Sequence, residues 1–124
     1  MHILNITFSV DPTVQEDFVT YVTTQLIPTL DQKSYLLRIH SDANTHPTFG
    51  LQIEFESSNI LKDFKNNGLE KTYEQLQASF PNKWVCFDTE LEKLSPWVFV
   101  QKNIWVNTFW LISISLKISL VRSL

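Results

Sequence analysis

Apolar and polar residues alternate strictly near the start of the chain: Leu4, Ile6, Phe8 and Val10 are separated by Asn5, Thr7 and Ser9. A period of two with one apolar side predicts a half-buried strand. Asp11-Pro12 then supplies an N-cap and a first-turn proline. Val14, Phe18, Val22 and Leu26 recur at every fourth position, one stripe of an amphipathic helix. Pro28 should interrupt that helix, because proline lacks the amide hydrogen and clashes with the preceding turn, with Thr29 to Lys33 as a further turn. Tyr35 to His40 predicts a second strand and Ser41 to Pro47 a polar connection. Phe49, Leu51, Ile53 and Phe55 restore the alternation, so a third strand should form a hairpin with the second. Ser57 or Ser58 can cap a second helix, with Ile60, Leu61, Phe64, Leu69, Tyr73 and Leu76 facing inward. Asn66-Asn67-Gly68 weakens its middle, since glycine costs about 1 kcal/mol against alanine, and predicts a break or kink there. Lys83 to Leu91 predicts a fourth strand with Val85, Phe87, Thr89 and Leu91 on one face.

The order is βαββαβ. Right-handed crossovers place such a chain in the α+β class as a ferredoxin-like plait, a four-stranded antiparallel sheet with both helices on one face. Two helices leave the other face open. That face is expected to carry Ile3, Asn5, Thr7 and Ser9 from the first strand and Trp84, Cys86, Asp88 and Glu90 from the fourth. Such a mixed face suits a partner sheet enclosing a small cavity better than it suits a dry core.

Certain runs also carry a family likeness: Asn5-Ile6-Thr7, then Glu16-Asp17-Phe18-Val19-Thr20-Tyr21-Val22, then Ile27-Pro28, then Phe87-Asp88-Thr89-Glu90-Leu91-Glu92. In order and spacing from Met1 to about Leu94 they resemble a family of small bacterial proteins, domain-of-unknown-function family 4286. The resemblance implies a ferredoxin-like domain of the dimeric α/β-barrel kind, in which two sheets pack face to face. It implies no established activity. The chain departs from the family pattern at three places: Phe18 stands where tryptophan is common, Leu26 where a histidine often precedes Ile-Pro, and Asp88 where an arginine often follows the phenylalanine of the last strand. If that histidine or arginine carries the family's chemistry, the resemblance implies that this chain has lost it.

Charge changes the picture mainly by its distribution. All 13 acidic residues lie at or before Glu92, against seven Lys and Arg up to Lys93, which leaves −6 on that part of a chain whose net charge is −3. After Ser95 come Lys102, Lys117 and Arg122, no acid, and three of the four tryptophans. The break sets a boundary near Ser95-Pro96: residues 1–95 as the ferredoxin-like domain, residues 96–124 as an apolar C-terminal extension. From Ile112 to Leu120 the extension alternates isoleucine or leucine with serine or lysine, a strand pattern. An added strand or partner-binding arm, a membrane anchor and a poorly ordered extension all remain open, and a reading-frame change near Pro96 would also explain the break. The acidic balance offers no field for nucleic acid. The first ten residues lack the basic region and cleavage site of a secretory signal, and with the one cysteine, Cys86, this suits a cytoplasmic protein.

Candidate chemistry is sparse. His2, His40 and His46 have no metal-ligand spacing, and a site at His40 and His46 would need Asp42 or another carboxylate to complete it. Exposed loop histidines are the simpler reading, so no metal or other cofactor is expected. Cys86 has no neighbouring base in sequence and reads as a small buried hydrophobe. Asp88, Glu90 and Glu92 alternate along one strand face, where a solvated rim is commoner than acid–base work. Asn5, Thr7, His40, Gln52, Trp84 and Asp88 could approach the open sheet face as ligand contacts. The expected function is a domain that forms a homodimer through its sheet and leaves room for a small-molecule ligand. The alternative is a dimeric α/β-barrel enzyme, monooxygenase- or isomerase-like, acting on a small organic substrate.

Overall fold

A computed structural model describes residues 1–41 and 46–95. Asp42 and the extension from Pro96 onward, with the readings placed on them, lie outside the described residues.

Strand β1 (His2–Val10) takes the centre of a four-stranded sheet with β3 (Thr48–Phe55), and β2 (Ser34–Ile39) and β4 (Trp84–Glu92) form its edges. The order is β2-β3-β1-β4 and every adjacent pair is antiparallel. One helical crossover joins β1 to β2, and a second joins β3 to β4. The result is the ferredoxin-like plait that the alternation and helix periods predict. Between sheet and helices lies one core: Leu4, Ile6, Phe8 and Val10 of β1, Phe49, Leu51, Ile53 and Phe55 of β3, and Phe18, Val22, Leu26, Leu61, Leu69 and Leu76 from the helices. Phe18 sits in its middle, with ring centroids 5.3 Å from Phe8, 5.9 Å from Phe49 and 5.7 Å from Phe80.

The first crossover follows its sequence closely. The Asp11 side chain accepts hydrogen bonds from the Thr13 amide (2.8 Å) and hydroxyl (2.6 Å), which starts a short turn over Pro12–Val14 and then α1 (Gln15–Tyr21). From Val22 to Leu26 the helix widens, and the Ile27 amide reaches the Val22 carbonyl five residues back. Pro28 has no amide hydrogen to continue the ladder. Hydroxyls take up carbonyls in this stretch: Thr23 bonds to Val19 O at 2.8 Å, Thr24 to Thr20 O at 2.6 Å, and Thr29 to Leu26 O at 2.7 Å.

The predicted break in the second helix is real. α2 (Ser58–Asn67), capped by Ser57, ends at Gly68, and α3 (Leu69–Ser79) begins directly after it. The backbone at Gly68 is not left-handed, so glycine is required there for space. A Cβ would lie 2.7 Å from Cδ1 of Phe64, whose ring packs on Phe55.

The face assignment of β4 is corrected. Directly paired residues share a face, and the pairs are Val10 with Trp84, Phe8 with Cys86, and Ile6 with Asp88. Trp84, Cys86 and Asp88 therefore turn toward the helices, and Val85, Phe87, Thr89 and Leu91 occupy the open face. The apolar alternation of β4 is genuine but points away from the core. Trp84 and Tyr73 cover the helix side of this edge, with Trp84 edge-on to Phe8 at 5.7 Å and 6.0 Å from the Tyr73 ring.

Candidate functional site

The register lays out the open face in rows across the sheet. One row reads Ile39, Thr48, Ser9, Val85; the next Leu37, Gly50, Thr7, Phe87; the third Tyr35, Gln52, Asn5, Thr89; and the last Glu54, Ile3, Leu91. Large apolar side chains stand on the edge strands and are exposed: Val85 at 70%, Phe87 at 63%, Leu91 and Leu37 at 42%, Ile39 at 40%. Apart from Ile3 in the last row, the two central strands carry small and polar residues between them. A shallow cavity of about 250 Å³ lies against Thr7, Ser9, Thr48, Val85 and Phe87.

Three of the expected contacts meet here. Gln52 Nε2 donates to Asn5 Oδ1 at 3.3 Å, and Asn5 Nδ2 donates to the Thr7 hydroxyl oxygen at 3.0 Å. The chain of donors thus ends on Thr7, whose own hydroxyl hydrogen has no acceptor among the described residues. Gly50 makes room for this arrangement, since a Cβ on it would sit 3.1 Å from Asn5 Oδ1. At the far end Tyr35 donates to Glu54 at 3.4 Å, and burial, then the Glu54 charge, raise its pKa.

The other three do not join them. His40 lies past the end of β2, exposed, beside Gln15, Arg38 and His46. Trp84 and Asp88 are on the helix side. Asp88 belongs to a polar cluster there: Lys65 Nζ lies 3.4 Å from Asp88 and 2.8 Å from Glu90, and the Tyr73 hydroxyl donates to Asp88 at 3.5 Å. The hydrogen bond from Lys65 holds the Glu90 carboxyl below its usual range, and the same bond raises Lys65. Burial pushes the Tyr73 hydroxyl far up, helped by its contacts with Cys86 and Asp88. Burial also raises the Cys86 thiol, against the Tyr73 hydrogen bond that lowers it. A protonated thiol and a protonated phenol beside a paired carboxylate make a structural edge, not an activated nucleophile.

The residues that sequence reasoning leaves out of the site are Leu37, Ile39, Val85 and Phe87. The signal was present for β4, where Val85, Phe87 and Leu91 mark one face, but not for β2, where Leu36 interrupts the alternation of Leu37 and Ile39 with polar residues. Among the described residues no group of three or more His, Cys, Asp or Glu could hold a metal, and no helix is long and apolar enough to cross a membrane.

Residues 1–94 match the family model described as "Domain of unknown function (DUF4286)". No curated protein matches the sequence. Among solved structures the fold is similar to a protein of Thermus thermophilus described as PII-like and signalling, at 12% identity and a TM-score of 0.38, over 73% of this chain and 87% of that one. Likeness at that level carries no argument about activity.

Proposed function

The chain belongs to the DUF4286 family of domains of unknown function, and on that footing, which assigns no activity, we propose that it is a module that self-associates through the open face of its sheet, with space for a small molecule between the paired faces. The observation that carries this is the exposure of Leu37, Ile39, Val85, Phe87 and Leu91 on one face. Fully burying a side chain of this kind contributes about 1.5–3 kcal/mol.

Size and charge support a second copy as the occupant. Strands about 4.8 Å apart and about eight residues long give a face of roughly 500 Å² in projection. Pairing two such faces would remove roughly 1,000 Å² or more, the lower end for a specific interface. A two-fold pairing sets a face against itself, so like charges would meet. Among the described residues Glu54 is the only charged strand residue on this face, and it sits at one end, hydrogen-bonded to Tyr35.

Sedimentation equilibrium of the full chain at tens of micromolar tests the reading. The expected species is a dimer that Phe87→Glu converts to monomer with an unchanged circular dichroism spectrum. A strict monomer, or a dimer indifferent to Phe87→Glu, would rule it out.

A further inference from the structure

The open face has high edges and a low centre. Leu37 and Ile39 rise on β2, Val85 and Phe87 on β4, and between them lie only Thr48, Ser9, Gly50 and Thr7. Packed sheets keep their strands roughly aligned and stand about 10 Å apart. A two-fold axis along the strands sets each β4 over the partner's β2, and an axis across them sets β4 over β4. In both cases apolar edge meets apolar edge and the low centre meets its own copy. The edges can close the gap, but residues as small as glycine and serine cannot.

The polar chain across the centre gives that gap a chemical character. Gln52 donates to Asn5 and Asn5 to Thr7; each amide keeps a second N–H, but of these three residues it is Thr7 that lines the cavity on this face, with its hydroxyl hydrogen unspent. The three rows that hold Ser9, Thr7 and Asn5 contain no charged residue.

Resting on the self-association proposed above, we infer that the paired faces enclose a chamber across the two-fold axis that binds an uncharged, largely apolar molecule bearing a hydrogen-bond acceptor such as a carbonyl. Thr7 of each subunit donates to the acceptor, and Leu37, Ile39, Val85 and Phe87 wall in the apolar body. A carboxylate or phosphate ligand is disfavoured, because no cation lines these rows and burial of an unpaired charge is costly.

The test uses the full chain and prodan, an uncharged aromatic ketone whose emission moves to shorter wavelengths when it leaves water. Dimer is first established by sedimentation, then prodan is titrated into the wild type, Thr7→Val and Ser9→Leu. The expected result is saturable binding with blue-shifted emission. Thr7→Val should remain dimeric and bind about threefold to tenfold more weakly, as loss of one hydrogen bond implies. Ser9→Leu, which fills the centre, should remain dimeric and lose most of the binding. A dimer that binds no prodan, or binds it equally in all three proteins, overturns the chamber and leaves self-association standing. A monomer overturns both.

Discussion

Ile6 and Asp88 are directly paired across β1 and β4, so a fully buried isoleucine and a carboxylate share the helix side of the sheet. The pairing is tolerable because Asp88 lies at the edge, where Lys65 and the Tyr73 hydroxyl reach it. It also turns Phe87 outward.

This edge cluster makes stability depend on pH at both ends. Glu90 has a lowered pKa, so its contribution is present above the ordinary glutamate range and is lost as pH falls through the folded-state value. Lys65 has a raised pKa, so its contribution is present below the ordinary lysine value of 10.5 and is lost as pH rises through the folded-state value. Lys65→Met should flatten both slopes. Urea unfolding at pH 3, 7 and 11 checks this: the difference between variant and wild type should be largest at pH 7.

Gly68→Ala should destabilise the protein although alanine is the better helix former. Alanine gains about 1 kcal/mol in propensity. Its Cβ would lie 2.7 and 2.8 Å from two ring carbons of Phe64, and forced overpacking costs about 1–3 kcal/mol. A net loss of about 1 kcal/mol in urea unfolding is expected, and Phe64→Leu in the same background should recover part of it.

Cys86 should react slowly. Its thiol is pushed up by burial, and it has no adjacent cation among the described residues to stabilise the thiolate. Alkylation by iodoacetamide at pH 8 should be slower in the folded protein than in the same chain in urea. Faster alkylation of the folded form would mark Cys86 as an activated nucleophile instead.

A chain ending at Pro96 is expected to fold and to be more soluble than the full chain. All six elements of the plait are complete by Glu92, and the alternating stretch from Ile112 to Leu120 is prone to β aggregation unless docked. The melting temperature should change by less than about 4 °C, since a shift of that size already means about 1 kcal/mol. Loss of cooperative unfolding would assign the extension to the domain's core, and partition of only the full chain into liposomes would make it a membrane anchor.

Local pattern by itself determined the elements of this protein. Alternation in Leu4–Val10 and Phe49–Phe55, the four-residue stripe from Val14 to Leu26, the cap at Asp11 and the break at Gly68 are each set by residues within a few positions of one another. The strand order followed, because few un-knotted, right-handed arrangements suit βαββαβ. What only the tertiary structure decided was which side of β4 faces the helices. A period of two marks two faces but does not label them, and on an edge strand the more apolar face need not be the buried one. That label comes from register against β1, a contact between residues some eighty positions apart, and it separated Asn5, Thr7 and Gln52 from Trp84 and Asp88.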